Sequence, residues 1–226
     1  MHKMLVTGAA LLSAGFVIQA EAATATFIIS SPYLEFADSP FAALAAGNPN
    51  FHLETFEDGA LDTLGASATA GVVIGPDPQA DSVDGDDGSI DGSGAGGHSW
   101  YLGGVSSVTF SFDAGVLGAL PTHVGVVWTD VGTTPSGFPT GMDDVLIRVF
   151  DGQGNSLGFA GADGLGDIFT FGGTSEDRFL GAIFEGGISK LQIVSLSGST
   201  DWEVDHLQYG TAAPVPVPGA ALLFGS

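Results

Sequence analysis

From residue 105 the chain reads VSSVTFSF, in which Val108, Phe110 and Phe112 alternate with Ser107, Thr109 and Ser111. A period of two is what a strand needs to put one face in a core and the other in water. Comparable short runs recur along the chain: FHLETFEDG from Phe51, HVGVVWT from His123, DVLIRVF from Asp144, FLGAIF from Phe179, ISKLQIVSL from Ile188 and WEVDHLQYG from Trp202. Glycine and turn residues separate them, and no stretch carries a sustained helical period. In FDGQGNSLG, from Phe150, Gly and Asn stand where a tight hairpin or bulged turn needs positive φ. Upstream, TATFIISS supplies an opening strand, and Pro32, Pro40 and Pro49 then break the connector that follows. The pattern predicts an all-β chain, a two-sheet antiparallel sandwich or jelly roll, folded as one domain over residues 23–210.

Charge narrows the choice of partners. Twenty-six acidic residues face four cations, a formal charge of −22. Nucleic acid is excluded as the expected partner, because phosphate contacts require clustered Lys and Arg. Arg178, next to Glu176 and Asp177, is expected in a structural ion pair. The chain has no cysteine, so disulfides and thiolate metal ligands are absent and only oxygen and imidazole donors remain.

The two ends read as addresses. Residues 1–22 combine Lys3, an apolar run from Leu5 to Ile18 and the small-x-small Ala20, Glu21, Ala22, the layout of a secretory signal peptide cleaved after Ala22. Residues 211–226 carry Pro214, Pro216 and Pro218 ahead of a short apolar stretch from Gly219 to Phe224, far below the roughly 20 residues that cross a bilayer.

Between these ends, residues 81–100 read DSVDGDDGSIDGSGAGGHSW. Calcium takes six to eight oxygen ligands, and glycines let neighbouring carboxylates and carbonyls converge. Asp81, Asp84, Asp86, Asp87 and Asp91 therefore form a first candidate calcium set, though not an EF-hand, since no glutamate closes the loop at the twelfth place. A second set, Glu57, Asp58 and Asp205, would meet if the first and last strands of the sheet pair. The solvated alternative for the loop is a series of Asx turns. His52, His98, His123 and His206 have no zinc spacing. Asp205 and His206, as neighbours on a strand, are expected on opposite faces, which argues against a catalytic pair. No nucleophile elbow accompanies them. Trp100, Tyr101, Trp128, Phe138 and Trp202 are candidates for a sugar-stacking platform, with Trp100 the one expected at the surface.

Val215-Pro216-Val217-Pro218 followed by GAALLFGS resembles the start of a PEP-CTERM sorting tail, with valine where that motif carries glutamate and without the rest of its apolar helix and basic cluster. The expectation is that the sequence stops short of the full tail, the alternative being a tail that has decayed and no longer sorts. ETFEDG at 54–59, the aspartate loop at 81–97, VWTD at 127–130, EDRF at 176–179 and VDHLQYG at 204–210 together resemble secreted bacterial PEP-CTERM proteins with a β-sandwich body. The resemblance implies secretion or cell-surface residence in a Gram-negative-type bacterium, an exosortase-type protease acting on the tail, only transient contact with the membrane, and association with extracellular polysaccharide. The placing of a carboxylate turn after one early strand and an aspartate in the last is also similar to galactose-binding-like sandwiches, whose terminal strands share a structural calcium.

The expected function is therefore an exported cell-surface or matrix protein, calcium-stabilised, exopolysaccharide-associated and non-enzymatic. The alternative is a secreted carbohydrate-active enzyme using a carboxylate pair, which requires only two acids about 5 to 10 Å apart.

Overall fold

The computed structural model describes residues 24–76, 80–85, 97–129, 143–165, 177–196 and 201–212. The expected signal peptide, the tail from residue 213, Phe138 and Asp86, Asp87 and Asp91 lie outside these residues.

Among the described residues, twelve strands, all paired antiparallel, form two sheets. They are β1 (Thr26–Pro32), β2 (Phe51–Glu54), β3 (Ala66–Ala68), β4 (Val72–Ile74), β5 (Ser99–Tyr101), β6 (Ser107–Phe112), β7 (His123–Trp128), β8 (Asp143–Phe150), β9 (Ser156–Leu165), β10 (Arg178–Ile183), β11 (Lys190–Ser195) and β12 (Glu203–Gly210). The larger sheet runs β1-β10-β7-β12-β5-β4, with β2 also paired to β12; the smaller runs β3-β6-β11-β8-β9. The chain is an all-β, two-sheet sandwich. The turn expected at FDGQGNSLG closes the β8–β9 hairpin: Asp151 Oδ1 accepts from the Gln153 and Asn155 amides, and Gly154 takes φ 83°. Two single-turn helices, α1 (Ala42–Ala45) and α2 (Ala114–Leu117), sit in connections; Asp113 caps the second by accepting from Gly115 N.

The two faces of the smaller sheet differ as the alternation predicts. Val108, Phe110 and Phe112 of β6, Val145, Ile147 and Val149 of β8, and Leu191 and Ile193 of β11 all point into the core. They meet Val124, Val126 and Trp128 of β7 and Val204, Leu207 and Tyr209 of β12 from the larger sheet, and Trp128 stacks on Trp202 with ring centroids 5.0 Å apart. Burying each such side chain is worth about 1.5–3 kcal/mol, enough in sum to hold a chain without disulfides.

The centre of the larger sheet, β10, β7 and β12, is covered on both faces. Residues 33–50 and 80–85 lie over its outer side, where Tyr33, Phe41, Val83, Val127 and Phe179 make a second apolar cluster. Phe179 lies on a bed of two paired glycines, Gly125 and Gly181: a Cβ at Gly125 would stand 2.2 Å from its ring. This double covering explains why β7 is buried from Val124 to Trp128 without alternation.

Candidate functional site

β12 carries the residues that organise the outer face. Its register against β7 runs Val204 to Trp128 and Asp205 to Val127, then Gln208 to Gly125 and Tyr209 to Val124, so β12 holds one residue more than its partner. The extra residue is a β-bulge, and His206 within it adopts φ 43°. A regular strand would have sent Asp205 and His206 to opposite faces, as expected from the sequence; the bulge overturns that expectation. Val204, Leu207 and Tyr209 enter the core, whereas Asp205, His206 and Gln208 all face the covering segments.

Gln208 and His206 sit in a directed chain of hydrogen bonds. Phe41 N donates to Ser39 Oγ at 3.0 Å, Ser39 Oγ to Gln208 Oε1 at 2.5 Å, and Gln208 Nε2 to Tyr33 Oη at 2.9 Å. Tyr33 Oη, which accepts from Gln208, lies 2.8 Å from His206 Nδ1, and we assign its proton to that contact. That leaves Nε2 as the protonated nitrogen of the neutral ring, and it donates to Asp84 Oδ2 at 3.1 Å. The chain runs from a buried amide to a carboxylate whose side chain is 40% exposed.

Asp205 takes the other half of the site. Its Oδ1 accepts from His206 N at 2.6 Å and its Oδ2 from Val83 N at 3.0 Å, while Ser82 Oγ lies 3.3 Å from both Asp205 Oδ2 and Glu57 Oε1. One hydroxyl has one proton, so it satisfies both carboxylates only when one of them carries a proton itself. Burial drives the Asp205 carboxyl up to about 7, against the pull of the His206 charge and the His206 and Val83 amides. Burial also depresses the His206 ring, but the hydrogen bond to Asp84 and the charges of Asp205, Asp84 and Glu57 outweigh it and the net shift is upward. Tyr33 is raised by burial and by the Asp205 charge.

Glu57 reaches the same place from the turn after β2. Phe56, itself buried in the core, takes φ 59°, and the left-handed residue turns the chain so that Glu57 lies against the segments over the sheet. Glu57 Oε1 accepts from His98 N at 2.5 Å, and Oε2 lies 3.2 Å from His98 Nδ1. Nearby, buried Glu203 accepts from Asp81 N at 2.7 Å and from Ser99 Oγ.

The two acidic sets anticipated from the sequence thus merge in part. Glu57, Asp84 and Asp205 come together around Ser82 and His206. Asp81 is buried at the root of the same segment. Asp58 stands apart, exposed and accepting from Ala60 N in its own turn. Among the described residues no group of three or more His, Asp or Glu side chains is arranged to hold a metal ion; the oxygens of Glu57 and Asp205 are turned toward amide N–H groups instead. Trp100, expected at the surface, is 8% exposed and donates to Ala70 O, and Trp128 and Trp202 are fully buried. Arg178 Nη1 donates to the Asp177 carbonyl at 2.8 Å, and Glu176, beside which an ion pair was expected, lies outside the described residues.

Tyr33, Ser39, Ser82 and Gln208 were not singled out from the sequence. One signal was present in EVDHLQ: polar residues at both 205 and 206 break the alternation of a half-buried strand, as a bulge requires. Nothing local marks Tyr33 or Ser39. Comparison of the chain with family models, curated proteins and solved structures finds no match.

Proposed function

We propose that this is an exported, non-enzymatic surface or matrix protein, whose sandwich is stabilised by calcium at its acidic pole and associates with extracellular polysaccharide. The observation that supports it is the meeting of Glu57, Asp84 and Asp205, three carboxylates from distant parts of the chain, at the root of the aspartate-rich segment. A hard divalent cation relieves the repulsion among such groups and takes their oxygens as ligands. The Asp84 and Glu57 side chains are 40% and 37% exposed, within reach of an ion from solvent; Asp86, Asp87 and Asp91, the other ligands expected from the sequence, lie outside the described residues. The signal-peptide-like start and the PEP-CTERM-like tail carry the export part of the reading, with an exosortase-type protease as the partner of the tail.

Melting of the secreted protein with calcium and with chelator tests the ion. At a hundredfold excess over Kd the gain is about 2.7 kcal/mol, roughly 5–10 °C for a domain of this size. Glu57→Gln with Asp84→Asn should shrink that gain, and a melting temperature indifferent to calcium removes the ion from the account. Recovery from the extracellular polysaccharide fraction of producing cells tests location and association together. Hydrolysis of a polysaccharide panel, abolished by Glu57→Gln, would replace this reading with a carbohydrate-active enzyme.

A further inference from the structure

At the end of the sandwich where β2 begins and β12 finishes lies a hollow of about 220 Å³, counted with the solvent at its mouth, whose lining shares no residue with the acidic site. Register builds its floor. His52 of β2 stands directly across from Tyr209 of β12, and the two rings stack with centroids 5.1 Å apart. Tyr209 is fixed from its other sides: its hydroxyl donates to the Leu64 carbonyl at 2.6 Å, and its ring lies 4.8 Å from that of Phe112 in the core. His52 is therefore an aromatic plate on a rigid support. One wall comes from the connection between β6 and β7. Gly118 closes α2 in the left-handed conformation, φ 81°, and Leu117, Ala119 and Pro121 line the hollow around that turn.

Polar groups complete the lining. Asn50 and Thr211 are joined through their backbones, Thr211 N donating to Asn50 O at 3.3 Å. Among the described residues, the Asn50 side-chain amide, the Thr211 hydroxyl and the His52 ring nitrogens have no protein hydrogen-bond partner, which leaves them to water or to a ligand. The described lining contains no acid, no Lys and no Arg, and burial holds His52 below the ordinary histidine range, so the ring is neutral at pH 7. The space suits a single ring rather than a drug-sized ligand, whose sites run to about 300–1,000 Å³.

We propose that this hollow binds one neutral sugar unit of a polysaccharide. A pyranose ring has an apolar C–H face and an edge of hydroxyls; the face would rest against His52 and the wall of Leu117, Ala119 and Pro121, and the hydroxyls would bond to Asn50, Thr211 and a His52 nitrogen. A uronate would bring its carboxylate to a lining without a cation, in a chain of net charge −22, and its desolvation would go uncompensated. A proline-rich peptide docks in a groove between aromatic walls, and His52 and Tyr209 make one stack rather than two walls. The proposal names the unit recognised in the polysaccharide association above and rests on that association.

Affinity electrophoresis through gels containing dextran, galactomannan, xylan, polygalacturonate or polyproline tests it, with the unaltered protein, Ala119→Trp and Asn50→Ala as samples. Both positions are exposed, and an unchanged melting temperature would show that the variants fold. Retardation by at least one of the three neutral polysaccharides is expected, with a several-fold loss of affinity in Ala119→Trp, whose indole fills the hollow, and a smaller loss in Asn50→Ala. Neutral binding indifferent to both variants, or retardation by polygalacturonate alone, overturns the inference and leaves polysaccharide association standing. Retardation by polyproline alone, lost in Ala119→Trp, gives the hollow to a peptide and overturns the inference together with the association. No retardation by any polymer likewise removes both.

Discussion

Glu54 gathers four donors onto one carboxylate. Phe56 N reaches Oε1 at 2.9 Å, and Asp62 N, Thr63 N and Thr63 Oγ1 reach Oε2 at 3.1, 3.0 and 2.6 Å. The side chain is nearly buried and holds the left-handed Phe56 in place, so it sets the path that carries Glu57 to the site. Glu54→Gln turns an amide NH2 toward N–H donors and should cost about 1.5–3 kcal/mol, read as a lower midpoint in urea unfolding. Asp205 makes a different prediction. Its carboxyl is pushed up to about 7 in the fold from an ordinary value of 3.8. The native state therefore binds more protons than the unfolded chain between these values, and stability falls as pH rises from about 4 to about 7. His206 acts in the same sense: with its folded value raised, its contribution is complete below the ordinary histidine range and is lost as pH rises through the shifted value. In chelator, melting temperature should decline across this window, and Asp205→Asn should flatten the decline. An identical pH profile in the variant would show that the slope arises elsewhere.

At the scale of the element, the bulge in β12 decides which side chains share a face. His206 at φ 43° occupies a region that Asn tolerates and that a β-branched residue resists. His206→Val should therefore unfold at lower denaturant than His206→Asn, the two differing by about 1–3 kcal/mol; equal midpoints would show that the left-handed conformation is not required. β7 offers a second case. Gly125→Ala places a Cβ against Phe179 and close to the Leu180 carbonyl, and overpacking of this kind costs about 1–3 kcal/mol, measured in the same unfolding experiment. Most of the strands were legible because their patterns are long enough to carry a period: β6 alternates in burial as its residues do, β2, β7, β11 and β12 fall within the runs that mark them, and β8 and β10 begin one residue before theirs. β3, β4 and β5 are three residues each and too short to show one. β9, SLGFAGADGL, is rich in glycine and alanine and forms because the hairpin returns it against β8, not because its residues favour a strand.

The whole molecule is held together against its own charge. At −22 the folded chain concentrates like charges, and added salt should raise its melting temperature by screening them. The two sheets also divide the labour: the larger is covered on both faces along β10, β7 and β12 and carries the polar network between its outer side and residues 33–50 and 80–85, while the smaller sends one face of β6, β8 and β11 into the core.

The sequence by itself determined the class of fold, because a period of two in side-chain polarity leaves a chain few ways to bury its apolar half. It also marked Glu57, Asp84 and Asp205 as acids of interest, since carboxylates crowded without counterions repel unless something offsets them. Only the tertiary structure decided that these three meet, that Tyr33 and Ser39 reach Gln208 and His206 from the far end of the chain, and that Asp205 and His206 share a face. Those contacts depend on strand register and on one extra residue in β12, and register is fixed by packing between distant segments rather than by local preference.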